Sequence, residues 1–274
     1  MKIATWNVNS LKVRLEHVLD WLGAEQPDVL ALQETKLTDH NFPVDDFEAA
    51  GYHVRFTGQK TYNGVALISR SRPQDVVMDV DNLDDPDRRI ISASYGDTRV
   101  LNLYVVNGQE VGSDKYLHKL HWLDKVTEHV EREIAAHPRY VVLGDFNIAP
   151  DDRDVWDPAQ WQDKILCSRP ERDALQRLVS LGLTDAFRQH DDRDKQFSWW
   201  DYRGGGFARG LGLRIDLILA SDALRDACTR CWIDDGPRQR GGVLHRLRLR
   251  AALGSRLHRS LVDGGRYRVT LGRR

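Results

Sequence analysis

The sequence is poor in cysteine. Three in 274 residues, at positions 167, 228 and 231, cannot frame the disulfide scaffold of a secreted domain. Nor does it open on a signal segment: Met1-Lys2-Ile3-Ala4-Thr5-Trp6-Asn7 has no long apolar run behind its single lysine, so a reducing cytoplasm is the expected compartment. No stretch approaches the roughly 18 apolar residues that a membrane crossing requires. The longest apolar runs are of the kind in Val29–Leu32 and Tyr140–Leu143, which excludes a membrane-spanning helix. No repeat and no flexible linker interrupts the chain, which reads as one α/β domain.

An excess of one charge is missing too, but only in the sum. The chain carries 40 basic and 41 acidic side chains. Residues 1–236 hold 29 basic and 40 acidic groups, whereas residues 237–274 hold 11 arginines, no lysine and one acid, Asp263. A body of net charge −11 thus precedes a segment of +10, and the near-neutral total is a cancellation. From Pro237 onward the Arg/Leu/Gly-rich stretch shows neither a clean strand alternation nor a full helical face.

What is present is a series of β-rich runs with amphipathic segments between them. Lys2–Trp6, Val29–Gln33, His53–Thr57, Val65–Ser69, Val76–Asp79, Ile90–Tyr95, Val100–Val105, Tyr140–Gly144, Ile215–Ala220 and Cys228–Ile233 are expected strands. Leu11–Glu25 with Ser10 as N-cap, Asp114–Ala136 closed by His137-Pro138, and Glu171–Leu181 ending at Gly182 are expected helices. Two long stretches, Ile148–Arg169 and His190–Leu213, carry no strand pattern, and loops of that length in a compact domain are usually functional.

Polar residues at strand ends carry the chemistry. Asn7 and Glu34 each follow a strand, Asp145 and Asn147 follow a third, Tyr104 ends a fourth, and Asp216 lies just inside a fifth. Ligand sites of α/β sheets collect beyond strand ends, so these side chains are expected to converge. Carboxylate and amide oxygens, with no His or Cys pair at ligand spacing, favour a hard cation such as Mg²⁺ over zinc, and Mg²⁺ suggests phosphate chemistry. Asn147, two residues beyond Asp145 on an extended segment, is expected to face the same way. Cys228-x-x-Cys231 is half of a zinc pattern without a second pair, and reads as ordinary thiols on a strand.

MKIATWNVNSLKVR, LALQETKL, QKTYNGVALISR, LNLYVVNG with KYLHKLHWL behind it, VVLGDFNIAP, FSWWDYRGGGF and GLGLRIDLILA resemble, in order and spacing, the motifs of the exonuclease III family of abasic-site endonucleases. GDFN alone is shared across the endonuclease/exonuclease/phosphatase superfamily, whereas its combination with WWDYR and GLRID is specific to the DNA-repair branch. The resemblance covers residues 1–236. It implies a four-layer αββα sandwich, two mixed β-sheets flanked by helices, with a Mg²⁺ site (Mn²⁺ in its place) at one end. Glu34 is the implied metal carboxylate, with Asn7 beside it and Asp145 and Asn147 as further ligands. Asp145 would deprotonate the attacking water, Asn147 stabilise the phosphoryl oxygens, Tyr104 assist at the phosphate, and Asp216 orient a catalytic histidine. Trp199, Trp200 and Leu213 would form an apolar pocket for a base-less deoxyribose, since a nucleotide without a base resists extrusion least. Lys115 and Arg203, with Lys60, Lys119 and Arg209, are the candidate phosphate contacts. The implied partner is double-stranded DNA with abasic sites or 3′ ends, met by a monomer associated with the nucleoid and not with a membrane. Two other readings are a superfamily phosphoesterase for another substrate, such as an inositol polyphosphate, and a DNA-binding protein without activity.

The chain departs from the family after residue 236. The family's Ser-Asp-His-Ala-Pro motif, with the histidine that Asp216 would orient, is absent, and His245 and His258 stand in other contexts. The expectation is a domain over 1–236 lacking its last strand, followed by a disordered segment over 237–274. A shift of reading frame around codons 236–242 is the simplest account of the Arg-rich, Lys-free composition.

Overall fold

The computed structural model describes residues 1–81, 83, 85–201 and 205–234, and the backbone of the strand Leu244–Leu249. In chain order the elements are β1 (Lys2–Asn7), α1 (Leu11–Glu25), β2 (Val29–Gln33), α2 (Val44–Ala49), β3 (His53–Thr57), β4 (Val65–Ser69), β5 (Gln74–Val77), β6 (Ile90–Tyr95), β7 (Thr98–Tyr104), α3 (Asp114–Ala136), β8 (Tyr140–Asp145), α4 (Pro158–Trp161), α5 (Arg169–Val179), β9 (Leu183–Asp185), β10 (Trp199–Trp200), β11 (Gly212–Leu213), β12 (Asp216–Ser221), α6 (Asp222–Arg225), β13 (Cys228–Asp234) and β14 (Leu244–Leu249). No helix among the described residues is long and apolar enough to cross a membrane.

The strands form two six-stranded sheets of matching plan. One runs β13-β14-β1-β2-β4-β3 and the other β5-β6-β7-β8-β12-β9. In each, the third and fourth strands are parallel, β1 with β2 and β7 with β8, and every other pairing is antiparallel. A parallel pair needs a crossover, which α1 and α3 provide.

The layering follows from side-chain alternation along strands buried on both faces. Ile3, Val29, Ala31, Val65 and Leu67 of the first sheet meet Val100, Val141, Leu143, Ile218 and Ala220 of the second in an inner core. Their neighbours Ala4, Trp6, Leu30, Leu32, Ala66 and Ile68 point outward to Leu11, Val18, Trp21 and Leu22 of α1 and Phe47 of α2. On the far side Leu101, Leu103, Tyr140, Val142, Leu217 and Leu219 receive Trp122, Leu123, Val126 and Val130 of α3 and Ala174, Leu175 and Leu178 of α5. The result is the four-layer αββα sandwich. Asn102 bolts the sheets together beneath the site, donating from Nδ2 to the carbonyls of Leu32 (2.9 Å) and Ala66 (3.0 Å) and accepting from Gln33 Nε2 (2.6 Å).

Three expectations need correction. The final core strand is present: Leu244–Leu249 pairs antiparallel with β1 on one side and β13 on the other. The stretch His190–Leu213 is not strandless, since it contains the short hairpin β10–β11. Ser10 is no N-cap; it sits at φ 101 without a capping bond. The first helical N–H groups are instead satisfied by the loop after β2, Ser10 donating to the Glu34 carbonyl (2.8 Å) and Leu11 to that of Thr35 (3.1 Å). Cys228 and Cys231 are buried free thiols.

Candidate active site

Parallel strands deliver their exits to one end of a sheet, and the loops after β1, β2, β7 and β8 gather there. Asn7 ends β1, Glu34 follows β2, Tyr104 ends β7 and Asp145 ends β8. Tyr104 and Asp216 flank Asp145 in register on either side. Gly144 makes this closeness feasible: at φ +136, a side chain there would place its Cβ 1.9 Å from the Leu103 carbonyl oxygen.

Asn7 joins the two sheets, donating from Nδ2 to Glu34 Oε1 (2.8 Å) and to Asp145 Oδ2 (2.8 Å). Its Oδ1 accepts from the Asn9 N–H (2.9 Å). Lys36 balances Glu34 at 2.9 Å. Tyr104 hydrogen-bonds Glu34 and lies under the Arg89 guanidinium, 4.8 Å from its ring centre. Asp216 is buried, and its Oδ1 has no partner among the described residues. Burial, with Glu34 and Asp145 nearby, raises the Tyr104 hydroxyl above the usual tyrosine range. Burial pushes Asp145 up to about 7, with Asn7 opposing and Glu34 adding to the rise. It also holds Asp216 well above the carboxylate range, reinforced by Asp145.

Among the described residues no three His, Cys, Asp or Glu side chains cluster as a metal-holding group. The donors are fewer and entirely oxygen: Glu34 and Asp145, bridged by one amide, with Asp216 adding charge behind them. Mg²⁺ keeps several waters and takes one or two carboxylates together with substrate phosphate, so the donor set fits it.

Asn147 reaches the site by another route than the extended segment expected. Its φ of 49 puts it in the left-handed region, with its N–H on Asp145 Oδ1 (2.9 Å). Its Nδ2 donates to the Val105 carbonyl (3.0 Å) and its Oδ1 accepts from Asn107 Nδ2 (3.0 Å). Asn107, missed in the sequence, is thus a third site asparagine; its signal is an Asn-Gly turn directly after a strand that ends in the site.

The apolar pocket also differs in membership. Trp199 pairs with Leu213 and Trp200 with Gly212, so consecutive tryptophans face opposite sides of the hairpin. Trp199 and Leu213 pack with Ile215, Leu166 and Cys167, whereas Trp200 stacks edge-to-face on Phe197 and Phe207. Trp200 therefore lies apart from Trp199 and Leu213, which pack with Ile215, and instead lines a cavity with Phe197 and Phe207. Ser198 Oγ anchors this wall to the catalytic strand, accepting the N–H groups of Ile215 (2.9 Å) and Asp216 (3.0 Å). Trp199→Ala should lower kcat/KM on an abasic duplex roughly tenfold with little change in thermal midpoint. Trp200→Ala, by contrast, should cost about 3–5 kcal/mol of stability. Parallel kinetics and urea unfolding check both, and equal destabilisation by the two variants would refute the division.

Lys115 and Lys60 are exposed, as is Arg209, while Arg203 lies outside the described residues. Lys119 is not a phosphate contact: its side chain is fully buried against Glu171.

The sequence pattern of the endonuclease/exonuclease/phosphatase family matches residues 4–255, and the chain belongs to that family. It is 35% identical over 242 residues to exodeoxyribonuclease III of Haemophilus influenzae, covering 83% of this chain and 90% of that one. Among solved structures, a 3′ phosphatase from Neisseria bound to a product DNA hairpin is 45% identical with a TM-score of 0.89, covering 91% of this chain and 99% of that one. An AP endonuclease from Archaeoglobus fulgidus is 35% identical with a TM-score of 0.87 at the same coverage.

Proposed function

We infer that the chain is a Mg²⁺-dependent DNA-repair phosphodiesterase of the exodeoxyribonuclease III type, which incises 5′ to abasic sites and trims 3′ ends of duplex DNA. One observation carries the reading: Glu34, Asp145 and Asp216 gather with Asn7, Asn107 and Asn147 at one end of the two sheets, next to the apolar cluster of Trp199, Leu213 and Ile215. The names of its relatives support the same chemistry. The enzyme acts as a monomer on the bacterial chromosome.

A phosphodiester anion repels nucleophiles, and a divalent cation held by Glu34 and Asp145 supplies charge neutralisation there. Asp145 accepts the proton of the attacking water. Asn147 and Asn107 donate to the phosphoryl oxygens, and Tyr104, held neutral, donates toward the phosphate. Asp216 has room for a hydrogen-bonding partner at Oδ1. The family's histidine would fill that role, and residues 235–243, which link Asp234 to Leu244 at this end of the sheet, lie outside the described residues. Without Ser-Asp-His-Ala-Pro the rate is lower by about 10²–10³, the usual cost of one transition-state donor.

The unpartnered Asp216 oxygen favours one second reading, a protein that binds duplex DNA without cutting it. One experiment decides: cleavage of a labelled abasic-site duplex in Mg²⁺ and in EDTA, by this chain and by a version carrying Ser-Asp-His-Ala-Pro. Mg²⁺-dependent product from both, stronger from the second, is expected. Product from neither overturns the assignment, and salt-dependent binding with product only from the second supports the binding reading.

A further inference from the structure

Lys119 uses all three ammonium hydrogens in the interior. Its Nζ donates to the Asn107 carbonyl (3.1 Å), the Asn147 carbonyl (2.7 Å) and Glu171 Oε1 (2.5 Å). The two carbonyls belong to the asparagines of the site, and Asn147 is held in the left-handed region that L side chains rarely adopt. Glu171 reaches the opposite way. Its Oε1 also accepts the Leu166 N–H (3.1 Å), and its Oε2 accepts the N–H (3.1 Å) and Oγ (2.6 Å) of Ser168. Leu166, itself at φ 71, and Cys167 belong to the apolar cluster that packs with Leu213, Ile215 and Trp199. Both partners of the ion pair are completely buried.

Burying two charges is expensive, and apolar residues of similar volume would hold α3 and α5 together as well or better. What an ion pair with six directed hydrogen bonds supplies is geometry. We propose that Lys119 and Glu171 are a positioning pair that sets the distance between the phosphate-side asparagines and the sugar pocket. Through them the pair governs both turnover and the preference for a base-less nucleotide. Neither side chain touches substrate. The proposal rests on the phosphodiesterase reading given above.

The test is the double variant Lys119→Met/Glu171→Leu, with Glu171→Gln as a second variant that keeps the shape of the site. Expected for the double variant are a near-wild-type thermal midpoint, a kcat on abasic duplex lower by roughly 10²-fold with KM within about threefold, and loss of preference for the abasic duplex over a normal 3′ terminus. The side-chain amide ¹⁵N–H resonances of Asn107 and Asn147 should shift and exchange faster. A kcat within about twofold of wild type with unmoved amide resonances overturns the proposal, as does a kcat loss that only tracks the unfolded fraction. If the double variant does not fold, Glu171→Gln decides on the same two readouts. A wild-type chain that fails to cut any duplex defeats the functional reading instead, and the asparagine resonances then judge the positioning pair alone.

Discussion

Asp145→Asn is expected to lower kcat on an abasic-site duplex by about 10³-fold while making the cation-free protein more heat-stable at pH 8. The first effect follows from the proposed role of Asp145 as the base that takes the water's proton and as one of the two carboxylates that would hold a cation. The second follows from burial, which pushes Asp145 up to about 7, with Glu34 adding to the rise. A carboxyl whose folded pKa exceeds its unfolded value, ordinarily about 3.9, binds its proton more tightly in the native state. Its contribution to stability is fully present below that unfolded value and is lost as pH rises through about 7. At pH 8 without a divalent cation, the native protein therefore holds a buried, ionised Asp145 between Glu34 and Asp216. The amide is isosteric, still accepts the Asn147 N–H and abolishes that charge, though it gives up the bond from Asn7 Nδ2, which then faces another amide nitrogen. A rise in thermal midpoint of about 3 °C or more at pH 8 in EDTA, smaller at pH 5, is expected. Single-turnover kinetics in Mg²⁺ and thermal scans in EDTA check the pair. Activity within tenfold of wild type, or a midpoint that falls alike at both pH values, would contradict it.

Strands buried on both faces announce themselves as continuous apolar runs, which is why Val29–Gln33, Val65–Ser69 and Tyr140–Asp145 were legible, as were α1 and α3 from their periodic apolar faces. Elements that owe their existence to a partner were not. Leu183–Asp185 is a strand because β12 lies beside it, and Leu244–Leu249 mixes Leu with Arg and His yet fills the gap between β1 and β13. The convergence of Asn7, Glu34, Tyr104, Asp145 and Asp216 was legible from their places at strand ends. The direction of Asn147 was illegible, because the two-residue alternation fails once φ turns positive. The division of Trp199 from Trp200 was legible in principle, since neighbours on a strand face opposite ways. The burial of Lys119 was not, because its partner Glu171 lies on another helix 52 positions away.

Arg214→Met is expected to destabilise the fold by about 3–5 kcal/mol, the cost of leaving a buried charge without its partner. Arg214 has no exposed surface and grips Asp154 with two bonds, Nε to Oδ1 (2.7 Å) and Nη2 to Oδ2 (3.0 Å), while Nη2 also reaches Asp185 (2.7 Å). Its backbone N–H bonds the Asp154 carbonyl (2.9 Å), and its guanidinium lies 5.2 Å from the Phe187 ring centre. Without it, Asp154, equally buried, keeps only Arg188 among these cations. Asp185 suffers less, being partly exposed and bonded to the N–H groups of Phe187 and Arg188. The double variant Arg214→Met/Asp154→Leu removes both charges and should recover most of the loss in urea unfolding. Recovery of stability need not restore the site. Val155, next to Asp154, bridges Leu213, and Ile215 and Asp216 follow Arg214 directly, so the pair also seats the pocket wall against the catalytic strand. The double variant should therefore fold and still discriminate poorly between an abasic duplex and a normal 3′ end. A double variant as unstable as Arg214→Met would show that packing around the guanidinium, and not the orphaned Asp154 charge, sets the cost.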